Sequence, residues 1–245
     1  MSPDEKILTA SYFGKELKVP YFAAATTGSF RGNIKNGKAI VRELEKIKVF
    51  LELSLTIKNP VLFDVGACFG TYSFITLFNP ELKVQAFEPY PKMVEYMKDI
   101  INLNKIPNVT VNDFGLSDKD RKCDMQFGSE FHRSEINLNV GTTHIEPEKE
   151  GDIVFKSLDS LNIQKMDLLK MDVEGHEMEV LKGGIKTLAR CRPVFIQIEI
   201  HNRKKDRKIR VEKILSEYLN DEYSVSHNFF KFHGDFFFKR KDFNI

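Results

Sequence analysis

The feature that most constrains this chain is Asp64-Val65-Gly66-Ala67-Cys68-Phe69-Gly70, set between a short apolar run at 61–65 and a helix-patterned stretch at 71–78. Glycines at such a junction let the backbone turn sharply out of a strand and lie close to a ligand. The N–H groups at the start of the following helix are free to meet that ligand. Downstream, the hydrophobic pattern alternates. Residues 83–87, 109–112, 168–173 and 194–200 read as strands, and 91–104, 177–189 and about 205–219 as helices. Pro91 sits in the first turn of its helix, where a missing N–H costs nothing.

Alternation of this kind builds a parallel sheet, because each crossover helix returns the chain to the same edge. The end departs from it. Residues 224–230 and 236–239 flank His233-Gly234-Asp235, which reads as a hairpin turn. The expected fold is α/β: a doubly wound, mostly parallel seven-stranded sheet closed by a C-terminal antiparallel hairpin. Upstream, Ile40, Val41, Leu44, Ile47, Phe50, Leu51 and Leu55 fall at helical spacing across 38–56. Residues 1–36 show weak periodicity and are expected to form an N-terminal extension, with a loop at 27–32. Residues 37–245 are expected to form one domain. The stretch 118–152 is long, polar and weakly patterned. It is expected to be an insertion bordering a substrate site, with a short hairpin around Cys123–Phe127.

Composition narrows the class. Of 245 residues, 42% are apolar, enough for a sizeable core, and the formal charge is +2, so overall charge gives no case for nucleic acid. Cys68, Cys123 and Cys191 are odd in number and far apart, which predicts neither a disulfide framework nor a zinc site. No run approaches the roughly 18 apolar residues of a membrane span. Met1-Ser2-Pro3-Asp4-Glu5-Lys6 has no apolar signal core behind it. The expectation is a soluble cytoplasmic protein with no membrane partner.

Glu88 ends the second strand of the alternating series, beside the first loop, where an acid can accept bonds from ribose hydroxyls. Such a site serves dinucleotides and S-adenosylmethionine alike. A dinucleotide loop needs G-x-G-x-x-G, and counting from Gly66 its later glycine positions are Cys68 and Thr71. Asp64 would oppose a pyrophosphate but favour a methionine ammonium. No Gly-Lys-Ser/Thr follows, so a P-loop is excluded as well.

The longest motif is Lys170-Met171-Asp172-Val173-Glu174-Gly175-His176-Glu177, continued by Leu181-Lys182-Gly183-Gly184. It resembles the K-x-D-V-E-G-x-E…L-x-G-(A/G) signature of the FkbM methyltransferases. The first loop resembles that family's D-V-G-A-x-x-G, with Cys68 where asparagine is usual. Phe87-Glu88-Pro89 resembles its F-E-P, and 113–118 its N-x-A-L-S-D, with Asp113 and Gly115 replacing asparagine and alanine. Leu158-Asp159-Ser160-Leu161 is similar to its L-D-x-L, and Arg192-Pro193 with Glu199 and His201 to its R-P…E-x-H.

The resemblance implies S-adenosylmethionine as cofactor, met by Asp64, Gly66, Ala67, Cys68, Gly70, Glu88, Pro89, Asp113, Phe114 and Asp172. It also implies O-methylation of a hydroxyl acceptor, a glycan sugar or a small natural product. RNA methylation and a non-catalytic cofactor-binding module are the competing classes. Asp172, Glu174, Glu199 and His201 end adjacent strands, so they are the candidate catalytic set. His201 has the pKa of a general base. Glu174 reads equally as a cap of the helix that follows. Asp172, Glu199 and His201 would also serve a divalent metal, and that alternative stays open. The basic run 203–208 is either a solvated helix face or a contact for an anionic acceptor. His176 reads as a first-turn residue, and Phe229, Phe230 and Phe236–Phe238 as hairpin core. Oligomeric state has no signal in the chain.

Overall fold

The computed structural model describes residues 7–20, 30–33, 37–126, 144–146, 149, 151–200, 209–210, 212–226 and 234–244. Among them, one seven-stranded sheet organises the molecule, in the order β14-β15-β13-β12-β5-β6-β7. Its strands are β5 (Val61–Val65), β6 (Lys83–Phe87), β7 (Val109–Asn112), β12 (Leu168–Met171), β13 (Phe195–Glu199), β14 (Tyr223–Ser226) and β15 (Asp235–Arg240). From β7 to β13 every pairing is parallel. The last two strands join antiparallel. The chain order reverses between β5 and β12, and the strand ends there form the crevice in which such sheets bind ligands.

Both faces of the sheet are covered. One packs on helix α1 (Leu44–Thr56) through Ile47, Phe50 and Leu53, and on α2 (Pro91–Asn104) through Met93, Tyr96, Met97 and Ile100. The other packs on α3 (Glu177–Lys182), α4 (Ile185–Cys191) and a π-helical turn, Ile214–Tyr218. Gly183-Gly184 separates α3 from α4, so the single helix expected over 177–189 is two. The helix expected over 71–78 is one 3-10 stretch, Ser73–Leu77.

The larger departure lies upstream. Strands β1 (Ile7–Tyr12), β2 (Lys15–Pro20), β3 (Phe30–Asn33) and β4 (Lys38–Val41) form a second sheet, ordered β2-β1-β4-β3. It takes in residues on both sides of residue 36. The expected helix over 38–56 therefore starts at Leu44, after a strand, and the strand Phe30–Asn33 overlaps the end of the loop expected at 27–32. Leu8, Ala10 and Tyr12 point inward at alternate positions. Phe13 (φ 47°) and Gly14 (φ 82°) make the two-residue turn into β2, the left-handed pair that matches strand twist.

This sheet is bolted to the elements around the first loop. Tyr12 OH donates to Thr71 O at 2.5 Å, and Lys15 Nζ donates to Leu77 O at 2.8 Å. Asn104 bonds both backbone polar groups of Lys18, at 2.7 and 2.8 Å. A third sheet, β10-β9-β11-β8, is built from β8 (Gly115–Leu116), β9 (Arg121–Gln126), β10 (His144–Glu146) and β11 (Ile153–Lys156). The strand expected near Cys123 is β9. The rest of that stretch, 127–143, lies outside the described residues. No helix among the described residues is long and apolar enough to cross a membrane.

Candidate active site

The loop after β5 is fixed from two sides. Gly66 and Ala67 N–H both donate to Phe87 O at 3.0 Å, and Cys68 N–H donates to the Glu88 carboxylate at 2.9 Å. The other Glu88 oxygen accepts from Tyr90 N–H at 2.9 Å. Burial pushes the Glu88 carboxyl up to about 7, against the pull of these two amides. Gly66 has φ 69°, and a Cβ there would stand 1.8 Å from Asp172 O. Only glycine lets the loop pass this close to the end of β12.

Register then sets residues in rows across the sheet. Lys170 pairs with Asp64 on one side and Gln197 on the other. One step further along, Asp172 follows β12 and Glu199 ends β13, opposite Asp235 of β15. The inner row is buried. Lys170 Nζ donates to Gly66 O at 2.7 Å and lies 3.5 Å from Asp64, which also accepts from Ser73 Oγ at 2.7 Å. Burial opposes the Lys170 ammonium, yet Asp64, Asp172 and Glu43 hold its pKa well above the usual lysine value. Asp64 is fully buried, with the Lys170 ammonium beside it.

The outer row is acidic: Asp172 and Glu199 are half-buried and Asp235 is buried. Burial, then the charges of Asp172 and Asp235, push the Glu199 carboxyl up to about 8, while Lys46 pulls it back. Lys46 comes from α1 and bridges Glu43 and Asp235, each at 2.6 Å. Gln197 Nε2 donates to Asp235 at 2.8 Å and to Tyr72 OH at 3.3 Å. Sequence reasoning missed Glu43, Lys46, Tyr72, Gln197 and Asp235, and gave Lys170 no role.

The remaining candidates spread around this centre. Ala67 is buried, while Cys68 and Pro89 are half-buried. Gly70 ends the loop, donating to Ala67 O at 2.7 Å. Asp113 is exposed just past β7, and Phe114 meets the Phe87 ring edge-on at 5.7 Å. A groove of about 410 Å³ runs along the sheet face from Val61 and Lys83 to Phe87 and Phe114, so only its Phe114 end meets the rim.

Glu174 has φ 52°, a left-handed position rare for a side chain with a Cβ. The Glu177 carboxylate, at the start of α3, accepts from Gly175 N–H at 2.7 Å. His176 precedes α3, and its Nε2 is 2.9 Å from Ser117 Oγ. His201 and the run 203–208 lie outside the described residues. Among the described residues, no three His, Cys, Asp or Glu side chains are grouped to hold a metal. His201, a member of the candidate metal set, is not among them.

The model of the Methyltransferase FkbM domain matches residues 64–235, from the first loop to the strand that carries Asp235. The chain belongs to the FkbM methyltransferase family. Hexuronic acid methyltransferase AglP of Haloferax volcanii is 31% identical over 182 residues, 71% of this chain and 68% of that protein. Hemolysin A of Brachyspira hyodysenteriae is 28% identical over 156 residues, 62% of this chain and 59% of that protein. The crystal structure of Methyltransferase FkbM from Methylobacillus flagellatus KT aligns with a TM-score of 0.51 at 16% identity. That alignment covers 74% of this chain and 44% of the other, and at such identity it speaks for the fold alone.

The family's cofactor is S-adenosylmethionine, and the residues present fit it. Asp64, Asp172, Asp235 and Glu43 outnumber Lys46 and Lys170 around the strand ends even without Glu199. A half-buried site with excess negative charge favours a cationic sulfonium and disfavours a phosphate-bearing cofactor.

Proposed function

We propose that the chain methylates a hydroxyl group of a glycan sugar, with a hexuronic acid residue as the first candidate acceptor. The observation that carries this reading is the acidic rim, where Asp172 and Glu199 end neighbouring strands beside the glycine loop. The likeness to a hexuronic acid methyltransferase over 71% of the chain supports the sugar class. The basic run 203–208 follows β13 directly in sequence and is proposed as the contact for the acceptor's carboxylate. Residues 118–152 are proposed to border the acceptor site.

S-adenosylmethionine, when bound, supplies a methyl group on a cationic sulfonium. The loop Gly66–Gly70, Glu88, Asp113 and Phe114 are proposed to hold it, with Glu88 accepting from ribose hydroxyls. Asp172 orients the acceptor. Glu199 accepts the hydroxyl proton, a role that suits a carboxyl whose proton affinity lies near neutral pH. Glu174 and His201 are proposed to act on the acceptor side of the same site.

A turnover assay with methyl-labelled S-adenosylmethionine tests the proposal against hexuronic acid glycosides, neutral glycosides, RNA and flavonoid-like phenols. Labelled product is expected with the hexuronic acid glycosides. Transfer to RNA alone, or binding of the cofactor with transfer to none of these, would overturn it.

A further inference from the structure

The assigned site residues follow strands of the central sheet, but Lys46 does not. It lies in the first turn of α1, on the stripe that also buries Ile47, Phe50 and Leu53. Its side chain is 3% exposed, and its Nζ lies 2.6 Å from Glu43 Oε1, 2.6 Å from Asp235 Oδ2 and 3.8 Å from Glu199 Oε2. Lysine is almost never fully buried without partners, and an apolar residue would pack beside Ile47 and Phe50 without desolvating a charge. The position needs its ammonium for another reason.

The three carboxylates differ in how they are held. Asp235 is 1% exposed, and its second oxygen accepts from Gln197 at 2.8 Å, so it is a fixed anchor. Glu43 adopts φ 61° just before α1, and its carboxylate reaches Lys46 and, at 3.4 Å, Tyr72 OH. Left-handed backbone at a residue with a Cβ is strained and persists where surrounding contacts impose it. Glu199 ends β13 at the rim with its side chain 21% exposed, while that of Glu43, 38% exposed, opens beside α1. Lys46 is thus gripped on two sides and reaches toward the carboxylate that faces the acceptor.

We infer that Lys46 is a positioning residue for methyl transfer: anchored by Asp235 and Glu43, its ammonium holds the Glu199 carboxylate in the orientation that receives the acceptor hydroxyl. This rests on the reading of Glu199 as the acceptor-side carboxylate. It makes the first turn of α1, outside the strand-end loops, part of the acceptor site.

The test compares Lys46→Met, Lys46→Met/Asp235→Asn, Glu199→Gln and the combined triple variant, with p-nitrophenyl glucuronide as acceptor. The double variant leaves no unpaired charge at Asp235, so it reports on Lys46 even where Lys46→Met alone melts far below the parent. The double variant is expected to lose at least tenfold in kcat, with cofactor Kd within about twofold, and to add nothing on the Glu199→Gln background. A crystal structure of the double variant is expected to show the Glu199 carboxylate displaced. Unchanged kcat, a loss that multiplies with that of Glu199→Gln, or a Glu199 carboxylate left in place would each overturn the inference. Full kcat in Glu199→Gln would instead overturn the underlying reading of Glu199. Should the glucuronide not be methylated, that counts against the proposed acceptor, and the carboxylate's position in the crystals decides for Lys46.

Discussion

Lys170→Met is the most informative single change, because its cost can be worked from two distances. The ammonium lies 3.5 Å from Asp64 and donates to Gly66 O at 2.7 Å, with side chains 7% and 1% exposed. At that separation and an effective dielectric of 20, the ion pair is worth about 5 kcal/mol. Removing one member leaves the Asp64 charge buried with Ser73 as its remaining donor, and broken buried pairs cost about 3–5 kcal/mol. For a chain of this size that corresponds to a drop in Tm of roughly 6–20 °C.

Adding Asp64→Asn should restore about half or more of the loss, since the stranded charge is then gone. Denaturant unfolding of the single and double variants reads both numbers. Cofactor affinity should also fall about tenfold or more in the single variant, because Gly66 O loses a charge-assisted bond. A Lys170→Met protein within about 1 kcal/mol of the parent would refute this electrostatic account. So would a double variant no more stable than the single one.

Glu199 works as a base only when deprotonated, so with its carboxyl raised to about 8 the turnover rate should climb with pH through about 8. An inflection near pH 6.5 that vanishes in His201→Ala would make the imidazole the base. Loss of activity with chelator and its return with magnesium would assign Asp172, Glu199 and His201 to a metal. Glu88→Ala should weaken S-adenosylmethionine binding by about 1.5–3 kcal/mol in calorimetry, and equal affinity would remove Glu88 from the site. Gly66→Ala places a Cβ 1.8 Å from Asp172 O, so cofactor binding should be lost while the far helices still melt cooperatively. Parental affinity in that variant would show that the loop yields. Replacing residues 126–139 with a short glycine–serine loop should spare cofactor binding and abolish or broaden acceptor use, and unchanged acceptor kinetics would refute a border role.

The central sheet was legible because its strands are short apolar runs punctuated by glycine and proline, a local signal. The N-terminal sheet was not. Leu8, Ala10 and Tyr12 do alternate, but the turn that follows is Phe13-Gly14 rather than an asparagine–glycine pair. Ile40, Val41 and Leu44 fit a helix as well as a strand end, which hid β4 inside the expected helix. Glu88, Asp172 and Glu199 stood at strand ends, and topology alone put them near one another. Lys46 and Asp235 meet across most of the chain, and no local pattern carries such a pair. The one clue was a lysine on the apolar stripe, four residues before Phe50. Asp64 is fully buried beside Lys170, a pairing that no local pattern in the sequence announced.

The clasp between Lys18 and Asn104 has a consequence for synthesis on the ribosome. Its partners are 86 residues apart, so the first hairpin emerges long before the helix that receives it. At about 5–20 residues per second, the wait is roughly 4–17 s. Throughout that time Leu17 and Val19 have no α2 to cover them, and the β1–β2 ribbon presents open edges to any passing strand. The charged outer positions of β2, Glu16 and Lys18, lie where such residues discourage pairing with a stranger. Slower elongation before residue 104 should therefore lower the yield of folded protein more than the same delay placed after it.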